Sequence, residues 1–134
     1  MSQPPTAATP AITTRTTRVW LDDAGILHSL IFPRCEQKSA DAEDTVAAMR
    51  AVGGGRRRPL LVDARHGSSV DRGARSYFSG PETAKVVSAS ALLVGSPVSR
   101  MVGGFFLGLN RSIVPTRLFT SEVEALGWLH GFLT

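Results

Sequence analysis

Two short apolar runs, Leu60-Leu61-Val62-Asp63-Ala64 and Ala89 to Val94, alternate along the chain with segments of helical periodicity. An uninterrupted apolar run bounded by turn signals suits a strand buried on both faces. Such a strand needs a helix to carry the chain back before the next parallel strand begins. The alternation therefore dictates an α/β fold with right-handed crossovers. The remaining elements fall into this frame. Arg15 to Leu21 is β-branched and aromatic, Asp22-Asp23-Ala24-Gly25 is a turn signal, and Ile26 to Phe32 is a second strand ended by Pro33. A short turn between two strands makes them an antiparallel hairpin.

Ser39 to Val52 reads as a helix, with Ala42, Val46 and Met49 on one face and Asp41, Glu43, Asp44 and Arg50 toward water. Gly53-Gly54-Gly55 stops it. Ser68 and Asp71 have capping-box spacing for a helix running through Tyr77 and Phe78; Gly80-Pro81 breaks it, and Glu82 to Val87 adds a further turn. Ser96-Pro97 opens a helix with Val98, Met101, Val102, Phe105 and Leu109 on one stripe. Pro115 to Phe119 is a short strand, and Ser121 with Glu124 caps a last helix, Glu122 to Leu133. The order is ββαβαβαβα: a mixed, mostly parallel five-stranded sheet with an N-terminal antiparallel hairpin and about four helices.

The chain has 134 residues, the size of one domain, and its 43% hydrophobic and 19% charged residues suit a folded core. Residues 1–14, rich in Pro, Thr and Ala, lack the charged and apolar regions of a secretory signal and read as a flexible tail before a single domain at 15–134. The longest apolar run, Met101 to Leu109, falls short of the roughly 20 residues of a membrane span, so a soluble protein is expected. Cys35 is the one cysteine, which excludes an intrachain disulfide and a multi-cysteine metal site and suits a reducing cytoplasm.

Val19-Trp20-Leu21-Asp22, Leu60 to Ala64, Ala91 to Arg100, Pro115 to Thr120 and Glu124 to Leu129 follow one another in an order that resembles a STAS domain. This is the SpoIIAA-like fold of bacterial anti-sigma-factor antagonists, related in shape to Sec14 domains, and the chain is similar to uncharacterised small bacterial STAS/Sec14-like proteins. The resemblance spans roughly residues 15 to 133 and implies a non-enzymatic regulatory role. In anti-sigma-factor antagonists a serine in an Asp-Ser-Ser-Gly-like motif is phosphorylated. The matching segment here is Val70-Asp71-Arg72-Gly73-Ala74, with Arg72 in the serine's place and Ser68 and Ser69 out of register, so the usual phospho-serine switch is not expected.

Ligands of open α/β sheets bind beyond the carboxyl ends of the strands. Two turns should meet there, Asp63 to Arg72 and Gly95 to Arg100. Arg65, Ser68, Ser69, Asp71, Arg72, Ser96, Ser99 and Arg100 are accordingly the candidate ligand- or partner-binding residues, with helix N-termini and arginines favouring an anion. Simple helix capping is the favoured account of Ser68, Asp71 and Ser96, because caps at such positions are routine. A second candidate ligand is apolar, with Phe106 and Leu107 off the main helical stripe. The net charge is +4, nearly all of it from arginine, but Arg56-Arg57-Arg58 carries no nucleic-acid motif, so nucleic acid is not favoured. His28, His66 and His130 lack metal-ligand spacing, and no cofactor or catalytic residue is assigned. His66 and Asp63 near Ser68 or Ser69 give only a loose hydrolase-like grouping, without a nucleophile elbow. Trp128 and Phe132 form an aromatic pair rotated from the Leu126, Leu129, Leu133 stripe, which points to a homodimer contact; an unidentified protein partner is the further expectation.

Overall fold

The structure is a computed structural model that describes residues 10–66, 69–95 and 113–133. Its elements in chain order are β1 (Ile12–Thr13), β2 (Thr17–Leu21), β3 (Leu27–Ile31), β4 (Glu36–Gln37), α1 (Ser39–Val52), β5 (Arg58–Asp63), β6 (Ser69–Val70), α2 (Arg72–Phe78), α3 (Pro81–Ala84), β7 (Val87–Leu93), β8 (Thr116–Phe119) and α4 (Glu122–His130). The main sheet runs β1-β2-β3-β5-β7-β8. β1, β2 and β3 pair antiparallel, and β3, β5, β7 and β8 pair parallel. The antiparallel hairpin and the mostly parallel sheet are those expected, in a mixed α/β arrangement.

Three of the differences from the expectation concern the strands and the start of α2. The main sheet has six strands rather than five, because Ile12 and Thr13, assigned to the tail, pair with Val19 and Arg18. A separate two-stranded sheet joins Glu36 to Ser69 and Gln37 to Val70. The helix expected from Ser68 starts later: Ser69–Val70 is extended, and Asp71 itself is the N-cap of α2, accepting from the Ala74 amide at 2.9 Å. The helix expected after Ser96 lies outside the described residues.

Alternation along the strands splits the apolar residues between two layers. Val19, Leu27 and Leu60 pack with Val46, Met49 and Val52 of α1. Ile26, Leu61, Ala89, Ala91 and Leu93 pack with Ala125 and Leu129 of α4 on the other side. Ala89 and Ala91 are fully buried; their small side chains let α4 approach β7 closely. Each large side chain buried this way contributes about 1.5–3 kcal/mol. Ser121 caps α4 by accepting from the Glu124 amide at 3.3 Å, as its spacing implied. α1 keeps Ala42, Val46 and Met49 inside, but Asp41, expected in water, is buried.

Candidate functional site

The carboxyl ends of the parallel strands carry the residues singled out from the sequence. Asp63 ends β5 and is only 5% exposed. Arg65 turns back over it, donating from Nε to Oδ1 at 3.0 Å and from Nη2 to Oδ2 at 2.7 Å, while the Arg65 amide also donates to Oδ1. Arg65 Nη2 further reaches Glu122 Oε1 at 3.3 Å, at the start of α4. Burial pushes the Asp63 carboxyl up, but these bonds outweigh it and hold it below the usual aspartate range. One guanidinium thus neutralises two buried carboxylates and ties the end of β5 to α4. Arg65, expected to attract an external anion, is committed to Asp63 and Glu122 instead.

The other candidates divide. Ser69 and Arg72 are exposed on the rim, and Asp71 is half-buried as a cap. Asp71 also anchors the small sheet, since its amide donates to the Gln37 carbonyl at 2.9 Å. Ser68, Ser96, Ser99 and Arg100, with Phe106 and Leu107, lie outside the described residues. His66 is exposed, and Asp63 bonds Arg65 rather than His66, so the loose Asp63–His66 grouping does not form.

The small β4–β6 sheet brings the starts of α1 and α2 together. Asp41 in the first turn of α1 receives a forked bond from Arg15, Nε to Oδ1 at 2.9 Å and Nη2 to Oδ2 at 2.5 Å, and accepts the Lys38 amide at 2.9 Å. The Arg15 bonds hold its carboxyl below the ordinary aspartate range. Arg15 also donates to the Glu36 carbonyl at 2.8 Å. Gly73 in α2 packs so closely on Ser39 that a β-carbon there would collide with the Ser39 hydroxyl oxygen. The result is a polar rim of Glu36, Lys38, Ser39, Ser69 and Arg72, all exposed.

Residues 19–133 match the family described as domain of unknown function (DUF7793). The chain belongs to this family. No curated protein matches it. Among solved structures, it is similar to an uncharacterised DUF3478-family protein with a SpoIIAA-like fold from Shewanella loihica PV-4, at 14% identity over 89% of this chain and 90% of that one, with a TM-score of 0.52. That likeness shows the fold alone. A protein of unknown function from Arthrobacter sp. FB24 is 40% identical over 83% of this chain and 96% of that one, with a TM-score of 0.30.

Two further features of this DUF7793 chain lie away from the rim. Beneath α1, a gap of about 40 Å³ is lined by Met49, Leu60, Val62, Phe78, Val87 and neighbouring residues. It has room for one or a few waters, whereas ligand pockets run to roughly 300–1,000 Å³. On the other side of the sheet, His28 is buried, stacks on Trp20 with ring centroids 5.0 Å apart, and shares a 2.8 Å hydrogen bond between Nε2 and Asp22 Oδ2. Asp22 Oδ1 accepts the amides of Ala24, Gly25 and Ile26, so one carboxylate holds both the turn and the imidazole. Trp20 and His28 are direct cross-strand partners. Once the hairpin register is set from the turn, that pairing is readable from the sequence.

Trp128 lies against Phe119 at 5.7 Å and edge-on to Phe132 at 4.9 Å, with the Arg117 guanidinium over both Phe119 and Trp128. The rings expected at a dimer contact thus find partners within the chain and remain half-buried. Among the described residues no group of His, Cys, Asp and Glu side chains has metal-binding geometry, and no helix is long and apolar enough to cross a membrane.

Proposed function

We propose that this DUF7793 domain is a non-enzymatic regulatory module of the STAS type, acting in the cytoplasm on a protein partner and without the usual phospho-serine switch. The observation that carries the reading is the start of α2. Arg72 stands exposed at the first helical position, in the place of the switch serine, beside the cap Asp71 and above Gly73 seated on Ser39. A fixed cation there gives the rim a permanent charge that phosphorylation would otherwise vary. Lys38 lies on the same exposed rim, which favours a partner with an acidic patch.

The test is co-purification of the full chain from its native cells, analysed by native mass spectrometry. The expected result is a protein partner that is lost from the folded Lys38→Glu/Arg72→Glu variant. A retained small molecule without a protein partner would overturn the reading, and a phosphate on Ser68 or Ser69 would show that the switch has moved. The proposal extends to a homodimer through the half-buried Trp128 and Phe132 edges. Sedimentation at micromolar concentration checks this: a dimer that dissociates on Trp128→Ala with the fold retained supports it, and a monomer removes it.

A further inference from the structure

At the opposite end of the sheet, where β3 and β5 begin, lies an open hollow of about 350 Å³. Its walls are the β2–β3 turn, the Arg56-Arg57-Arg58 run, and Phe132 and Leu133 after α4. We propose that this hollow binds a small phosphate-bearing anion through the three arginines.

All three arginines line one hollow, because the chain bends at Arg56 and enters β5 only at Arg58. Gly54 and Gly55, with φ of 71° and 77°, turn the chain at the end of α1 and deliver the run to that place. Three adjacent like charges repel, and the fold does not relieve the repulsion. None of the three has a carboxylate within ion-pair distance among the described residues, whereas Arg15, Arg65 and Lys85 are each paired.

The donors are partly fixed. Arg58 Nε donates to the Gly53 carbonyl at 2.7 Å, and its Nη1 lies where a β-carbon on Gly25 would touch it at 3.4 Å. The guanidinium is therefore held between the end of α1 and the hairpin turn, with its two Nη groups uncommitted among the described residues. Among the described residues Arg57 makes one long bond, from Nη2 to the Val87 carbonyl at 3.4 Å, and the exposed Arg56 makes no side-chain hydrogen bond. A guanidinium fork matches phosphate oxygens two at a time.

The carboxylates beside the arginines are Asp22 and Asp23. Asp22 is occupied by three turn amides and His28. Asp23 is exposed on the rim and opposes an anion. Pro59, Phe132 and Leu133 add an apolar wall for an organic body next to the phosphate. The volume falls at the lower end of the range for small-ligand sites.

The experiment titrates pyrophosphate into the isotopically labelled full chain, against sodium chloride at matched ionic strength. Amide signals of Gly25 and Gly53 to Gly55 and the arginine Nε–H signals are followed by NMR. Saturable shifts at these positions are expected. Arg56→Ser/Arg57→Ser, at two exposed positions, should weaken binding about tenfold. Asp23→Asn should tighten it roughly threefold. Linear shifts, saturable shifts centred elsewhere, or an unchanged affinity in the double variant would overturn the site. Much tighter binding of a short oligonucleotide than of pyrophosphate would replace the small anion with a nucleic-acid backbone and so overturn the proposal as stated.

Discussion

Gly73 is in a helix, where alanine is ordinarily better by up to about 1 kcal/mol. Its neighbour offsets that preference. A β-carbon at position 73 meets the Ser39 hydroxyl oxygen, which sits at the end of an exposed side chain and must turn away, so Gly73→Ala should leave stability within about 0.5 kcal/mol of the parent. In the Ser39→Ala background the oxygen is gone, and the same change should stabilise by up to about 1 kcal/mol. Urea denaturation of all four corners of this cycle measures the coupling, and additive effects would show that the two helix starts do not touch. The sequence offered Gly73 only as a match to a family motif. Asp41 was misread for a similar reason: its acidic character and place in the first turn suggest a solvated residue, and its partner Arg15 is 26 residues away. A long-range ion pair leaves no local periodicity to read.

Between elements, Arg65 is the tie. Asp63 is 5% exposed and takes its two side-chain bonds from Arg65, so removing the guanidinium leaves this carboxylate short of its counter-charge in a dry setting. Breaking a buried pair costs roughly 3–5 kcal/mol. The Arg65 side chain is 39% exposed and water can partly replace it, so Arg65→Ala should cost about 2–3 kcal/mol. Denaturant unfolding near neutral pH checks this, and a loss below about 0.5 kcal/mol would place Arg65 among ordinary surface residues. The long elements were legible: α1 spans the expected Ser39–Val52, and the capping spacing at Ser121 located α4. β1, β4 and β6, two residues each, were not, because nothing but their pairing with distant segments makes them strands.

At the level of the whole molecule, three aspartates share one sign. Asp41 is lowered chiefly by Arg15. Asp22 and Asp63 are pushed up by burial, but the bonds from His28 and from Arg65, with backbone amides, carry both below the ordinary value. The folded state therefore binds fewer protons than the unfolded chain in the acid range. The stabilisation is complete above the unfolded aspartate pKa and is lost as pH falls through the folded values. Thermal melts should give a Tm nearly constant from about pH 7 to 5 and falling below about pH 4. Asp41→Asn, which removes one of the three, should flatten the fall. A wild-type Tm that holds steady down to about pH 2 would contradict the network.

By itself, the sequence determined the order of the longer elements, the opening hairpin, the parallel core and the core face of α1, because periodicity and turn chemistry are local. Only the tertiary structure decided where the charges went. Arg65, expected to await an anion, is claimed by Asp63 and Glu122, while Arg56 to Arg58, which carry no nucleic-acid motif, converge on one hollow without an ion pair among the described residues. An arginine is the same residue in either setting. Whether its charge is neutralised or left available depends on which carboxylates the fold brings within a few ångströms, and for Arg65 one of them, Glu122, is 57 residues away along the chain.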